Sequence, residues 1–367
     1  MVIIIEACDG KIHHNKSITE ERIVATTPLS PSSTTRKTDE PNNTSVVNTP
    51  PSSPLNEHNI CKPVTSLPVP LNEKFPYNDS EIPNLSEDDI INACNKIAYG
   101  EGKIARISTT RKIARLSTTR KIVHISTNTI VKFGFQIDQA EARNMEFVAK
   151  NAPSIRVPKT IRAFQKTDEC KALITYIVME FIPGTVLSMC WKEMCEDRRE
   201  NICDQVVNAI TTLQSFKLQT IGPIGGKEYW IAPREVLFSP SGTKAKTSIS
   251  DLERWYDFAL DLCKKMRRQP QDAPVFKDSF GTTLPMTHLD IAPRNIIVQD
   301  DDTICIIDWE DAGAYPAHFE RISLEHPAEE EDKEFANCIL KRLPEEKEKI
   351  KQQVSIRWAM SSFSLPD

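Results

Sequence analysis

Apolar positions are distributed unevenly along this chain of 367 residues. The opening Val2-Ile-Ile-Ile5 run is too short for a signal sequence or a membrane span. From Thr26 to about Pro83 the chain is dominated by Ser, Thr, Pro and Asn. Such a stretch buries too little apolar surface to offset its conformational entropy, so residues 1–80 are expected to form a disordered tail. Regular patterning begins near Leu85. There Ser86 is a natural N-cap for a helix reaching Ala98, with Glu87, Asp88 and Asp89 in its first turn. Thr129-Ile-Val-Lys132-Phe-Gly134 reads as a strand carrying one inward lysine, and Asp138 to Val148 as an amphipathic helix that includes Glu141. Ile174 to Glu180 is an apolar strand stopped by Pro183-Gly184. Trp191 to Phe216 has the spacing of one or two helices. Ser250 to Arg268 has that of another, with Ser250 as cap and Leu252, Trp255, Phe258, Ala259 and Leu262 on one face. Beyond Glu329 the chain is charged and reads as a solvated final helix.

Between the last two of these regions, residues 286–310 place His288, Asp290, Asn295 and Asp308 in close order. The Asn295-Ile-Ile-Val and Thr303-Ile-Cys-Ile-Ile runs, separated by an acidic turn, predict a small hairpin that brings Asn295 and Asp308 together. Phosphoryl transfer requires little covalent chemistry from a protein, because positioning and charge neutralisation lower most of the barrier. Asp290 is the candidate catalytic carboxylate, placed to take the proton of an acceptor hydroxyl. Asn295 and Asp308 are the candidate metal ligands, since magnesium prefers hard oxygens. A single Asp is more often a cap or turn residue, but the ordered set of four favours a kinase-type loop. His288 is expected to hold the loop backbone, and Glu310 to fix the loop.

At these residues the sequence resembles the aminoglycoside phosphotransferase family, and more closely its fungal branch of small-molecule kinase homologues. The resemblance implies an α+β, two-lobed protein-kinase-like fold. A small antiparallel-sheet lobe would span residues 81–182 and a mainly helical lobe residues 183–367, with ATP and Mg2+ between them. It further implies that Lys132, paired with Glu141, touches the α- and β-phosphates. Backbone groups of Glu180, Phe181 and Ile182 would face the adenine edge. Ala292 and Trp309-Glu310 stand where protein kinases usually carry Lys and Phe-Gly, so a small-molecule hydroxyl is the expected acceptor. The competing expectation is a non-catalytic nucleotide-binding pseudokinase or scaffold.

One segment departs from that family. Residues 103–129 are three copies of a nine-residue unit: Lys103 to Arg111, Lys112 to Arg120 and Lys121 to Thr129. They occupy the place of the first strands and the phosphate-covering loop, yet no glycine lies between Gly102 and Gly134 to let backbone amides approach phosphate. The third copy is taken as the native strand and the earlier two as a tandem expansion. The copies contain no aromatic residue for base stacking, which argues against nucleic acid. A net charge of −5 calls for neither a nucleic-acid nor a membrane partner. Ten cysteines without a Cys-x-x-Cys pair predict free thiols in a reducing compartment, and hence a cytoplasmic protein. Gly222-Pro-Ile-Gly-Gly226 is expected to border the acceptor site, and the acidic run Glu329 to Asp332 to be solvated.

Overall fold

A computed structural model describes residues 75–99, 120–135, 137–169, 171–230, 237–238, 243–363 and 365. The expected disordered tail up to residue 74, and most of the first two repeat copies, lie outside the described residues. Ordered contacts start earlier than Leu85. Asp79 accepts from Ser126 Oγ at 2.5 Å and from the Asn128 amide at 3.0 Å, and the Tyr77 amide donates to Ile125 O at 3.2 Å. Helix α1 (Glu87–Tyr99) follows. Its Ser86 cap forms as expected: Ser86 Oγ accepts the Asp89 amide, while Asp89 Oδ2 takes the Ser86 amide in return.

The third repeat copy supplies β1 (Lys121–Ser126) and the turn into β2 (Thr129–Gly134). With β3 (Thr160–Thr167) and β4 (Leu173–Glu180) they form an antiparallel sheet in the order β1-β2-β4-β3. Strand β4 is buried on both faces, which explains its unbroken apolar run. Tyr176 and Val178 pack with Ile90 and Cys94 of α1, while Ile177 and Met179 face α2 (Ala140–Asn151) and its Met145 and Val148. This is a small sheet lobe with one helix on each side.

The second lobe is mainly helical. Helices α4 (Ile249–Lys265), α5 (His318–Glu325), α7 (Lys347–Ser355) and α8 (Arg357–Ser362) surround a core containing Tyr256, Phe276, Phe319 and Met360, while α3 (Glu196–Gln214) and α6 (Lys333–Leu340) pack through Ile202, Val206, Phe335 and Ile339 into the core that also holds Met145 and Val148. The cap of α4 is Ser248, not Ser250: Ser248 is extended and its Oγ accepts the Asp251 amide at 3.1 Å, whereas Ser250 already lies inside the helix. Phe258, expected on the core face, is 46% exposed. The tail is also not one solvated helix: it is broken into three short helices, with Phe335, Ile339 and Met360 buried in two of them and Ile356 buried at the junction between the last two. Cys203 of α3 and Cys338 of α6 are joined by a disulfide, where free thiols were expected. Among the described residues, no helix is long and apolar enough to cross a membrane.

A two-lobed α+β, kinase-like architecture is therefore present. Short strands stitch its functional loops together: β5 (Thr185–Val186) pairs with β6 (Ile296–Val298), which pairs with β7 (Ile304–Ile306). This is the expected hairpin. It ends with the Ile307 amide donating to Asn295 O at 2.9 Å, so Asp308 follows directly beside Asn295.

Candidate active site

Strand register sets the first charged group. Lys132 stands opposite Ile177 of β4 and Ile122 of β1, and it is only 6% exposed. A buried ammonium needs partners. Its Nζ lies 2.9 Å from Glu141 Oε1, on the first turn of α2, and 2.7 Å from Asp308 Oδ1. Burial alone would lower the Lys132 pKa, but the carboxylates of Asp308 and Glu141 outweigh it and hold the ammonium charged. Burial, with the nearby Asp308 and Glu310 carboxylates adding to it, pushes Glu141 up to about 7 although Lys132 pulls the other way. Asp308 feels the same burial, yet Lys132 and Arg120 hold it below the usual carboxylate range.

The loop ahead of the hairpin is fixed by buried polar groups. Both its Leu289 and the later Asp308 adopt left-handed backbone, with φ of 65° and 63°. Asp tolerates this conformation, whereas Leu does so only at a cost of about 1–3 kcal/mol, and only where the surroundings impose it. Glu320 of α5 imposes it, accepting the His288 amide at 2.6 Å and the Leu289 amide at 3.2 Å, while Ser323 Oγ donates to Leu289 O. The His288 ring takes the Asp290 amide on Nδ1 and meets Ile307 O through Nε2, each at 3.2 Å. These partners select the tautomer protonated on Nε2, and burial lowers the pKa so that the ring stays neutral. His288 thus ties the Asp290 loop to the strand leading to Asp308.

Asp290 is held on both oxygens: Arg294 Nη2 donates to Oδ1 at 2.5 Å and Asn295 Nδ2 to Oδ2 at 2.8 Å. Asn295 Nδ2 also reaches Asp290 O at 2.9 Å, which leaves Oδ1 as the oxygen Asn295 can offer a cation. The guanidinium of Arg294 extends to Asp332 at 3.3 Å. Asp332 is therefore drawn into the site and not solvated as expected. On the other side of Asp308, Glu310 accepts from Arg120 Nη1 at 2.5 Å. Asp311, next in the chain, has its pKa driven well above the ordinary range by burial and by the nearby Glu310 and Asp290 carboxylates.

The loop 222–226 packs against this acidic segment. Gly222 and Ala314 exchange backbone hydrogen bonds at 2.9 and 2.8 Å. A Cβ at Gly313 would stand 2.6 Å from the Gly222 backbone, so the close approach requires glycine there. Asn144 of α2, fully buried, locks the two loops: Nδ2 donates to Trp309 O at 2.9 Å and Ala312 O at 2.8 Å, and Oδ1 accepts the Ile224 amide at 2.9 Å.

At the end of β4 the Glu180 amide donates to Lys159 O at 3.0 Å and the Phe181 amide to Asn128 O at 2.8 Å. Of the three residues whose backbone groups are expected to face a ligand, Glu180 and Phe181 have amides bonded within the fold, whereas the Ile182 amide has no partner among the described residues. Carboxylate oxygens of Glu141, Asp308 and Glu310 lie within 4.8 Å of one another. These hard oxygens, with the Lys132 ammonium against Glu141 and Asp308, make a donor set of the kind a divalent cation takes. Lys132, Glu141, Asp308, Asp290 and Asn295 are thus gathered along one continuous structure. Sequence reasoning missed Arg120, Asn144, Arg294 and Glu320. Asn144 carried a signal, a polar residue on the apolar face of its helix; the others read as ordinary surface charges.

A family model described as phosphotransferase enzyme family matches residues 138–337. No curated protein matches the chain by sequence. Among solved structures, the chain is similar to a streptomycin–ATP ternary complex of APH(2")-IIa, with 14% identity, 74% of this chain and 86% of that one covered, and a TM-score of 0.41. It is similar to ADP-bound APH(2'')-Ib at 14% identity, covering 77% and 93%, with a TM-score of 0.42. A thermostable APH(4)-Ia mutant with AMP-PNP and hygromycin B shows 14% identity, 72% and 88% coverage and a TM-score of 0.43.

Proposed function

The chain belongs to the phosphotransferase enzyme family, and on that premise we propose that it transfers the γ-phosphate of ATP to a hydroxyl of a small molecule. The observation that carries this reading is the Lys132 ammonium, suspended 2.8 Å from Glu141 and 2.7 Å from Asp308 at the foot of the hairpin that also presents Asn295. Three groups needed for phosphoryl transfer thereby share one framework.

In this reading Lys132, oriented by Glu141, neutralises the α- and β-phosphates. Asn295 Oδ1 and the Asp308 carboxylate hold Mg2+, which when bound neutralises charge on the phosphates. Asp308 now shares the ammonium of Lys132; phosphate oxygens would take over that ammonium and leave Asp308 to the cation. Asp290 orients the acceptor hydroxyl and takes its proton, with Arg294 and Asn295 fixing both carboxylate oxygens. Backbone groups of Glu180, Phe181 and Ile182 face the adenine edge, the Ile182 amide among them, while the side chains there contribute shape. Residues 81–182 thus form the nucleotide-binding lobe and residues 183–367 carry the catalytic loop, the metal site and the acceptor side. The cytoplasm, which supplies ATP, is the expected place of action.

Calorimetric titration of the full chain with ATP, with and without Mg2+, tests the site. Binding that needs Mg2+ and disappears in Asp308→Ala supports it; undiminished binding in Asp308→Ala overturns it. The absence of glycine between positions 102 and 134 favours a second reading, a non-catalytic nucleotide-binding protein. That reading requires MgATP binding without phosphate transfer to any hydroxyl acceptor.

A further inference from the structure

Strand pairing carries information about the repeat that its composition does not. Ile122 stands opposite Lys132, so the two share one face of the sheet, and Arg120, two residues before Ile122, continues that face. The Arg120 side chain runs along it to Glu310, 2.5 Å away and two residues beyond the Asp308 that accepts from Lys132. Two cations from the sheet lobe therefore converge on two carboxylates of one loop. Only part of the Arg120 fork is used there. Its Nε lies buried with no hydrogen-bond partner among the described residues, a costly state for a guanidinium donor unless an acceptor arrives.

An oxyanion with several oxygens would satisfy that geometry. Arginine presents a planar fork matched to phosphate, and its aligned donors bind more strongly than neutral amides. We propose that Arg120 is a nucleotide-binding residue which leaves Glu310 to grip the β- and γ-phosphates, so that a side chain of the repeat does what a glycine-rich loop's amides would otherwise do. This rests on the ATP reading above. It also gives the repeat a chemical meaning. Copies one and two both end in Thr-Thr-Arg, and each is followed by Lys-Ile. Removal of either copy leaves an arginine directly before Lys121; removal of both leaves Gly102 there.

Full-length protein is titrated with MgATP and with AMP, which lacks the β- and γ-phosphates, and each variant is checked for cooperative thermal unfolding. Arg120→Ala should weaken MgATP by roughly tenfold or more, the size of a charge-assisted hydrogen bond, and leave AMP unchanged. Deletion of residues 112–120, which moves Arg111 to the position before Lys121, should retain the native MgATP affinity. Deletion of residues 103–120 should lose it as Arg120→Ala does. Where Arg120→Ala does not fold, Arg120→Lys decides, because a point charge without the fork should weaken MgATP and not AMP. Equal MgATP affinity in the native chain and Arg120→Ala, or equal weakening of ATP and AMP, overturns the assignment alone. Failure of the native chain to bind either nucleotide overturns the ATP reading, and the Arg120 assignment with it.

Discussion

The Lys132 ammonium lies 2.7 Å from Asp308 Oδ1, so a strand of the sheet lobe is charge-coupled to a loop of the helical lobe. The same ammonium is the partner of Glu141, which is 1% exposed. Lys132→Met should therefore strand a buried carboxylate and cost about 3–5 kcal/mol in chemical denaturation. Acid should relieve part of that loss, since Glu141 then takes up a proton. A penalty as large at pH 5 as at pH 8 would contradict this origin.

Asp290 and Asn295 share an anchor that survives when the acid is removed. Asn295 Nδ2 also donates to Asp290 O, a backbone atom. Asp290→Ala should thus reduce phosphate transfer by about 10²–10⁴-fold while Mg2+-dependent nucleotide binding stays close to native. Steady-state rates and calorimetry on one preparation separate the two effects.

Arg294 makes the shorter of its two contacts to Asp290, 2.5 Å against 3.3 Å to Asp332. It acts by positioning that carboxylate. Arg294→Ala is expected to lower kcat about tenfold, the effect of losing one charge-assisted hydrogen bond, with little change in nucleotide affinity. Asp332→Ala should lower it less. An effect confined to nucleotide affinity would place Arg294 elsewhere in the mechanism.

The parts legible in the sequence were those set by local pattern. The Lys132 strand, the Glu141 helix, the Ser86 cap and the hairpin between Asn295 and Asp308 follow from period, cap chemistry and a turn. What escaped was set by distant packing. Arg120 meets Glu310 across 190 positions and Asn144 meets Trp309 across 165, separations that no short window reveals. Ser250 failed as a cap because two serines two residues apart offer the same chemistry, and the backbone turned at Ser248. Of the acidic residues 329–332, the first three are exposed as expected, and only Asp332 is drawn in, to Arg294.

Asn144 is a direct test of that distant packing. It makes three hydrogen bonds while fully buried, two to carbonyls of the loop after Asp308 and one from the Ile224 amide. Asn144→Ala leaves those backbone groups without partners and should cost about 2–4 kcal/mol. Nucleotide and acceptor binding should both weaken, because the two loops lose one common lock. Native stability by urea denaturation would show that water replaces the amide.

Two buried groups of α5 give stability opposite dependences on pH. Burial, aided by Lys349, lowers the His318 pKa to about 3, so folding favours the neutral ring. That contribution is complete above an unfolded pKa of about 6.5 and is lost as pH falls toward 3. Glu320 runs the other way. Burial raises its pKa to about 7 despite the amides of His288 and Leu289, so its contribution is complete below about 4.5 and is lost as pH rises to 7. Between pH 4.5 and 6.5 the two slopes oppose each other, each by at most about 1.4 kcal/mol per pH unit. His318→Phe, which keeps an aromatic ring against Phe280 and Phe319, removes one slope. Its stability relative to the native chain should improve as pH falls through this window. Glu320→Gln removes the other, and its relative stability should improve as pH rises. Denaturation curves at pH 4.5, 5.5, 6.5 and 7.5 distinguish these trends, and parallel profiles for all three proteins would show that neither buried group titrates as the fold implies.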